Sequence, residues 1–361
     1  MAVGKLPTLH IGDLEVNPPI IQGGMGVRVS RASLAAAVAN QGCAGVIATV
    51  GLGRFEDHPG SKYVAVNGQG LQDEIRQARR LTKGIIGVNV MVALTDYDNL
   101  AKVAAAEGVE LIISGAGLPL DLPSFVAGTP TKLIPIVSSA RALNVIVRKW
   151  QRSYGRLPDA VVVEGVRAGG HLGFSFEEAA EDTAPDLDQI LVEVIAAANS
   201  YEKPIPVVAA GGIFDGADIA RVLRLGAAGV QMATRFVCTD ECDVSPRFKQ
   251  AYLDARPEDI TIIRSPVGLP GRVINNDFVE RVKRGETVPF RCTYKCLKTC
   301  NPKTVPYCIA KVLVNAAEGN LEEAFVFSGA NSWRINKVVP VAELIAELVD
   351  EAAFHLQQDP A

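Results

Sequence analysis

No run of more than two consecutive Lys or Arg residues occurs in the chain, and its 36 basic side chains are outnumbered by 40 acidic ones, a formal balance of −4. A nucleic-acid backbone is held through a basic patch or stripe, and this pattern supplies none, so nucleic acid is not an expected partner. The opening segment MAVGKLPTLHIGDLEVNPP lacks the basic stretch followed by an apolar one that a secretory signal needs, which points to a cytoplasmic location. Charge is also missing over the 22 residues 32–53, a length that could span a bilayer. Asn40-Gln41-Gly42 interrupts that stretch. It reads as a buried helix over 32–39, a glycine stop at Gly42 and a buried strand over 44–50, and no membrane span is expected. With 48% apolar and 21% charged residues, the chain can bury a large core, which excludes a disordered chain and a coiled coil.

What is present is a rhythm. Short, nearly continuous apolar runs at 19–22, 44–50, 85–91, 110–114, 133–138, 160–164, 205–210 and 229–232 alternate with Ala- and Leu-rich helical stretches. Continuous rather than alternating apolar character marks parallel strands covered on both faces. Three joints repeat one form, helix then glycine then strand, at Gly42, Gly108 and Gly226. Eight such units in about 235 residues predict an α/β fold of the (β/α)8 TIM-barrel type. A doubly wound sheet would carry Gly-x-Gly-x-x-Gly after a strand, and neither Gly51-Leu52-Gly53 nor Gly115-Ala116-Gly117 has the third glycine. After about residue 245 the sequence turns charged and turn-rich. The division expected is a barrel over 1–244 and 321–361, completed by a strand near 325–329 and a helix over 339–353, with a small appended Cys-rich subdomain over 245–320.

In a barrel the site lies where the strands end, so the residues that follow each strand are the candidates. Strand one leads into Gln22-Gly23-Gly24-Met25-Gly26. Strand six leads into Glu164-Gly165-Val166-Arg167-Ala168-Gly169-Gly170-His171, strand seven into Gly211-Gly212, and strand eight into Ala233-Thr234. Glycines after strands seven and eight let backbone N–H groups approach an anion, and Ala233 with Thr234 would complete a phosphate grip. A plain tight turn would use the same glycines. Of four histidines, His10, His58 and His355 lie in terminal or irregular segments, whereas His171 sits in a glycine cluster at a strand end. It is the candidate general base or substrate donor, with a satisfied loop histidine as the alternative. Asn89, polar at the end of an apolar strand, could meet the edge of a planar ring or make a hydrogen bond inside the barrel. Ser114-Gly115-Ala116-Gly117 and Val137-Ser138-Ser139 offer small residues across which something flat could lie.

Together these motifs resemble the flavin-dependent nitronate monooxygenase family, also called 2-nitropropane dioxygenase-like, and its relative the flavin-containing enoyl-acyl-carrier-protein reductase II. The residues that carry the resemblance are 19–26 (PIIQGGMG), 87–91 (GVNVM), 164–171 (EGVRAGGH), 206–213 and 226–236, with 327–331 and 341–348 similar to the family's last strand and helix. The resemblance implies FMN in the barrel: Gly23, Gly24 and Met25 under the isoalloxazine, Asn89 at its polar edge, Gly170 among the cofactor contacts, and Gly211, Gly212, Ala233 and Thr234 at the phosphate. His171 matches the histidine placed near flavin and substrate, and NAD(P)H, if it is used, would bind transiently over the FMN. The activity implied is oxidation of a nitronate or a related small substrate. The alternatives are an NAD(P)H-dependent enoyl-thioester reductase and a non-catalytic flavin-binding or electron-carrier protein. A small-molecule substrate is the partner expected, and a homodimer is left open. Residues 265–272 depart from the simplest members of either type.

Cysteine is unevenly spread. Cys43 stands alone, Cys238 and Cys242 form an isolated C-x3-C, and Cys292, Cys296, Cys300 and Cys308 crowd into one segment. An odd total of seven speaks against a disulfide scaffold. Zinc sites usually show a C-x2-C pair, which is missing here, while iron–sulfur clusters tolerate more varied spacing. The four clustered cysteines are therefore candidate iron–sulfur ligands, with buried free thiols, zinc or a disulfide as the other readings.

Overall fold

Runs that are apolar at every position have no polar face to give to water, so a sheet built from them must be covered on both sides. In the computed structural model, which describes residues 6–54 and 62–358, these runs form eight parallel strands. They are β1 (Ile20–Gln22), β2 (Gly45–Ala48), β3 (Ile86–Met91), β4 (Leu111–Gly115), β5 (Lys132–Val137), β6 (Val161–Glu164), β7 (Val207–Ala210) and β8 (Gly229–Met232). Each overlaps the run read for it. Sequential neighbours pair from β2 through to β8, and β8 returns to β1 in the register Val230–Ile20, Gln231–Ile21, Met232–Gln22. The last gap closes at a bridge between Ile21 and Ala44. The eight strands thus form a (β/α)8 barrel.

That seam uses a side chain. Gln22 is fully buried; its Oε1 accepts from the Val46 N–H at 3.1 Å and its Nε2 donates to the Gly23 carbonyl. The amide therefore continues the ladder past the point where the β1 and β2 backbones stop pairing. Inside the barrel, Ile21, Val46, Leu111, Ile113, Ile134, Val162 and Val208 pack with Leu9, Ile11 and Val16 of an N-terminal hairpin, so the end opposite the site is plugged with hydrocarbon.

The outer layer comprises α1 (Ala32–Ala39), α2 (Tyr63–Leu81), α3 (Tyr97–Ala106), a single turn at Leu122–Phe125, α4 (Ala140–Tyr154), α5 (Leu187–Asn199) and α6 (Gly216–Arg224). At the three repeated joints Gly42, Gly108 and Gly226 have φ of +80°, +71° and +101°, the left-handed geometry that ends a helix. No helix among the described residues is long and apolar enough to cross a membrane. After β8 there is only the turn Thr234–Val237, and the chain leaves the barrel. It forms a helix at Pro246–Asp254, the hairpin β9 (Ile260–Arg264) and β10 (Pro270–Ile274), a helix at Asp277–Lys283, an irregular stretch, α7 (Ile309–Glu318) and β11 (Val326–Phe327). The eighth covering helix, α8 (Val341–Gln357), then packs between α6 and α1.

The strand read near 325–329 is β11, and it does not join the barrel. It pairs with β10 through Val273–Phe327 and Ile274–Val326, while Gly170 and His171 pair with Arg272 and Gly271 of the same strand. Phe278, Tyr307, Phe325 and Phe327 stack edge-on in sequence beneath this small sheet. Their burial is continuous with that of the barrel helices, so the inserted segment is a roof fused to the barrel mouth.

The seam predicts a stability effect. Gln22→Leu strands the buried Val46 N–H without an acceptor and should cost roughly 1–3 kcal/mol. The denaturant midpoint should fall with an unchanged m-value; an unshifted midpoint would show that the amide does not hold the barrel closed.

Candidate active site

The C-terminal ends of the eight strands surround one cavity, roofed by the inserted segment. Gly23, Gly24, Met25, Asn89, Gly170, His171, Gly211, Gly212, Ala233 and Thr234 all line it, so the structure brings together every cofactor and catalytic candidate outside the cysteine cluster.

The floor is built by close approach. A Cβ on Gly24 would stand 2.4 Å from the Cβ of Asn89, so only glycine lets the β1 loop lie on the β3 amide. The Gly23 N–H donates to the Met232 carbonyl at 2.8 Å, and the Met25 N–H donates to Ser30 Oγ at 2.8 Å. Thr49 donates to the Asn89 carbonyl from both its N–H, at 3.1 Å, and its hydroxyl, at 2.9 Å. Beside Gly23 lies Gln231, whose Oε1 is buried without a hydrogen-bond partner. An unpaired buried amide oxygen lining a cavity calls for a donor from whatever fills it.

At one side, Gly211 and Gly212 have φ of +89° and +87°, and the Gly212 carbonyl accepts from Asn331 Nδ2 at 2.7 Å. After the adjacent strand β8, Ala233 opens the turn Thr234–Val237, whose first N–H groups have no acceptor within the turn. Gly329 passes so near that a Cβ there would be 2.5 Å from Thr234 Oγ1.

His171 is held from the roof. Its Nε2 is 2.7 Å from Ser265 Oγ, which also accepts from the Val267 N–H at 3.3 Å. Its ring meets Phe327 edge-on at 4.9 Å. Arg272 donates to the carbonyls of Val166 at 2.9 Å and Ala168 at 3.2 Å, fixing the loop that presents the histidine. Segment 265–272 is therefore what positions His171. Burial pulls the imidazole down to about 4 from its ordinary 6.5, so it is neutral above that pH. His10 and His355 lie on the hairpin and on α8, and His58 lies outside the described residues.

The segment 164–171 also carries an ionisable group besides His171, the carboxyl of Glu164. It ends the otherwise apolar β6, lines the cavity, and burial pushes its carboxyl up from 4.5 to about 7. The signal was legible: a carboxylate closing a run of three valines has no reason to be there for packing. Gln231, Ser265 and Arg272 were missed as well, because their roles depend on contacts between segments far apart in the chain. Among the small residues read as flat surface, Gly115 and Ala116 line the cavity, whereas Ser114 is buried behind it and bonds to the Val90 carbonyl at 3.0 Å. Ser139 caps α4 by accepting from the Ala142 N–H at 3.2 Å.

Of the clustered cysteines, Cys296 lines the cavity and the other three do not. All seven cysteines are free. Among the described residues no group of three or more His, Cys, Asp or Glu side chains is set to hold a metal ion. Burial pushes Cys296 up to about 12. Cys238 and Cys242 are buried apart from this segment and donate weakly to backbone carbonyls of Lys249 and Val29.

Because the folded Glu164 holds its proton up to about pH 7 and a free carboxyl only to about 4.5, its contribution to stability is complete below 4.5 and is lost as pH rises through 7. Glu164→Gln removes that loss. In the cofactor-free protein the variant's gain should be larger by roughly 2 kcal/mol at pH 8 than at pH 5, measured by denaturant titration at both pH values. A pH-independent difference would show that the carboxyl is not desolvated.

The profile of the nitronate monooxygenase family matches residues 8–116 and 91–351. The chain is 31% identical over 268 residues to the (3aS,4S,5R,7aS)-5-hydroxy-7a-methyl-1-oxo-octahydro-1H-indene-4-carboxyl-CoA dehydrogenase of Rhodococcus jostii, covering 74% of this chain and 65% of that protein. It thus spans slightly under two thirds of that dehydrogenase's length. It is 29% identical over 310 residues to a probable nitronate monooxygenase of Staphylococcus aureus, covering 76% and 79%. Among solved structures, FabK from Thermotoga maritima superposes with a TM-score of 0.72 at 28% identity over 94% of both chains. A nitroalkane oxidase from Streptomyces ansochromogenes shares the fold, with a TM-score of 0.73 at 24% identity over 93% and 96%. The family match runs through both the barrel and the roof that carries Ser265 and Arg272, and the chain therefore belongs to the nitronate monooxygenase family of flavin-dependent oxidoreductases.

Proposed function

We propose that the chain is an FMN-dependent oxidoreductase that oxidises a nitronate or a related small substrate with an acidic carbon, and that His171 is the side chain facing that substrate. The observation that carries this reading is a neutral imidazole, bonded to Ser265 and braced by Phe327, over a glycine-lined cavity at the strand ends. The residues present fit the cofactor. Gly24 lies flat against Asn89 where a side chain would intrude, and Gln231 Oε1 is left without a donor. Gly23, Gly24 and Met25 would underlie the ring, Asn89 and Gln231 would meet its polar edge, and the backbone at Gly211, Gly212, Ala233 and Thr234 would hold the phosphate. Bound FMN supplies the capacity to take up and pass on electrons.

The chain's own part is to bind, orient and move a proton. Nε2 of His171 is engaged with Ser265 Oγ, so Nδ1 is the nitrogen left for substrate. If Nε2 donates to the serine, Nδ1 carries the lone pair and can accept a proton from the carbon of a neutral substrate; in the other tautomer Nδ1–H donates to an oxygen of a nitronate, which has already lost that proton. The serine hydroxyl can serve both states. Phe327, Val267, Leu297 and Leu313 line the cavity with apolar surface from the roof, which favours the neutral imidazole.

The same apolar roof supports a second reading, an NAD(P)H-dependent reductase of enoyl thioesters, whose acyl chain needs such a lining. The Rhodococcus jostii relative, a carboxyl-CoA dehydrogenase by name, agrees with a thioester substrate. Spectra of the oxygen-free protein separate the two. Flavin reduction by alkyl nitronates, with NADH and NADPH inert, supports the first reading, and bleaching by either nucleotide supports the second. A colourless protein that takes up no added FMN would overturn both and leave the non-catalytic class.

His171→Ala should lower kcat by roughly 10²–10⁴-fold while FMN remains bound. As His171 is neutral above about pH 4, the wild-type kcat/KM profile should show no acid limb near 6.5. Full activity in the variant would remove His171 from the reaction.

A further inference from the structure

Four cysteines remain that the reaction above does not use. Cys292, Cys296, Cys300 and Cys308 follow the spacing C-x3-C-x3-C-x7-C, and the fold draws their segment together at the barrel mouth. Leu297 forms an antiparallel bridge with Leu94. Around it the Thr95 N–H donates to the Cys296 carbonyl at 3.0 Å and the Lys298 N–H to the Ala93 carbonyl at 2.9 Å, so the middle of the segment is pinned to the loop after β3. Thr299 Oγ1 donates to the Val267 carbonyl at 3.1 Å, which ties the segment to the roof. The Val288 N–H donates to the Pro306 carbonyl at 2.7 Å and closes the intervening chain into one loop. Cys308 stands at the N-terminal cap of α7.

The result is convergence. Cys296 interacts electrostatically with Cys292, Cys300 and Cys308, Cys300 with Cys292 and Cys308, and Cys308 with Cys292, so each of the six pairs lies within electrostatic reach. None is joined in a disulfide, and among the described residues no three His, Cys, Asp or Glu side chains form a ready-made metal site. Zinc and a cluster ask different spacings of four sulfurs. One zinc bonded to sulfur at about 2.3 Å would pull four thiolates to within ~3.8 Å of one another. A polynuclear cluster places each cysteine on its own iron and so holds the sulfurs wider apart. The surroundings suit an anionic centre: Lys295, Lys298 and Lys303 lie within the segment, Lys311 interacts with Cys308, and the first N–H groups of α7 adjoin it.

We infer that Cys292, Cys296, Cys300 and Cys308 ligate a polynuclear iron–sulfur cluster in the roof of the cavity. Cys296 is both ligand and cavity wall, so the cluster borders the space assigned to the flavin. It also explains why residues 284–307, with almost no regular secondary structure, hold a defined path. The site rests on the cysteines alone and does not depend on the FMN reading.

The experiment is iron, acid-labile sulfide and zinc analysis of the full-length protein purified without oxygen, with flavin quantified separately. Iron and sulfide should appear in equal amounts, two to four of each per chain, with broad visible absorbance that bleaches under dithionite and a reduced-state paramagnetic signal. Cys300→Ser and Cys308→Ser should lose iron and sulfide together. Because either variant could misfold, the wild-type stoichiometry is decisive by itself. One zinc per chain, or no metal with all four thiols open to alkylation, would overturn the inference. Iron with no flavin would sustain it while defeating the proposed function.

Discussion

Everything at the mouth of this barrel depends on a two-residue strand. Gly170 and His171 hydrogen-bond to β10, a strand supplied by the segment inserted after β8. Without that pairing the loop after β6 would be a glycine-rich tether with no fixed direction. With it, the histidine gains a hydroxyl partner, an aromatic brace and a desolvated setting, all from the roof. Arg272 locks the same junction by capping two carbonyls of the loop. The barrel contributes the glycine-lined floor, and the roof contributes the orientation of His171.

The cavity is also an electrostatic arrangement in which burial dominates over pairing. His171 and Glu164 both face it, and burial favours the uncharged form of each, lowering one and raising the other. A base whose imidazole is neutral near physiological pH is ready to take a proton, whereas a protonated carboxyl can give one. Elsewhere on the surface, charged groups follow the ordinary rule. Arg76 and Glu107, for example, stabilise each other's charge across α2 and α3.

The parts legible in the sequence were those set by local periodicity. Continuous apolar runs showed the eight strands, and the glycine joints at Gly42, Gly108 and Gly226 appeared as left-handed helix stops. Strand-end placement was enough to find Gly23, Asn89, Gly211 and Thr234, since in a barrel that position alone brings residues together. What local pattern could not show was contact across long separations. Ser265 meets His171 across 94 residues, and Asn331 meets Gly212 across 119, and nothing in either segment announces its partner. The strand near 325–329 illustrates the same limit: its existence was readable, but its pairing partner β10 was not.

The order of elements along the chain has a consequence for how this protein is made. Helix α8 completes the ring between α6 and α1, yet it is encoded after the whole roof. During synthesis, therefore, β8 and its neighbours emerge with one side of their sheet uncovered while about a hundred further residues are added. The roof must settle on an incomplete barrel, and the last helix then seals both. Closure of the outer ring and maturation of the pocket become a single late event, so a ribosome that stalls before α8 would release a chain with an apolar groove exposed rather than a weakened enzyme.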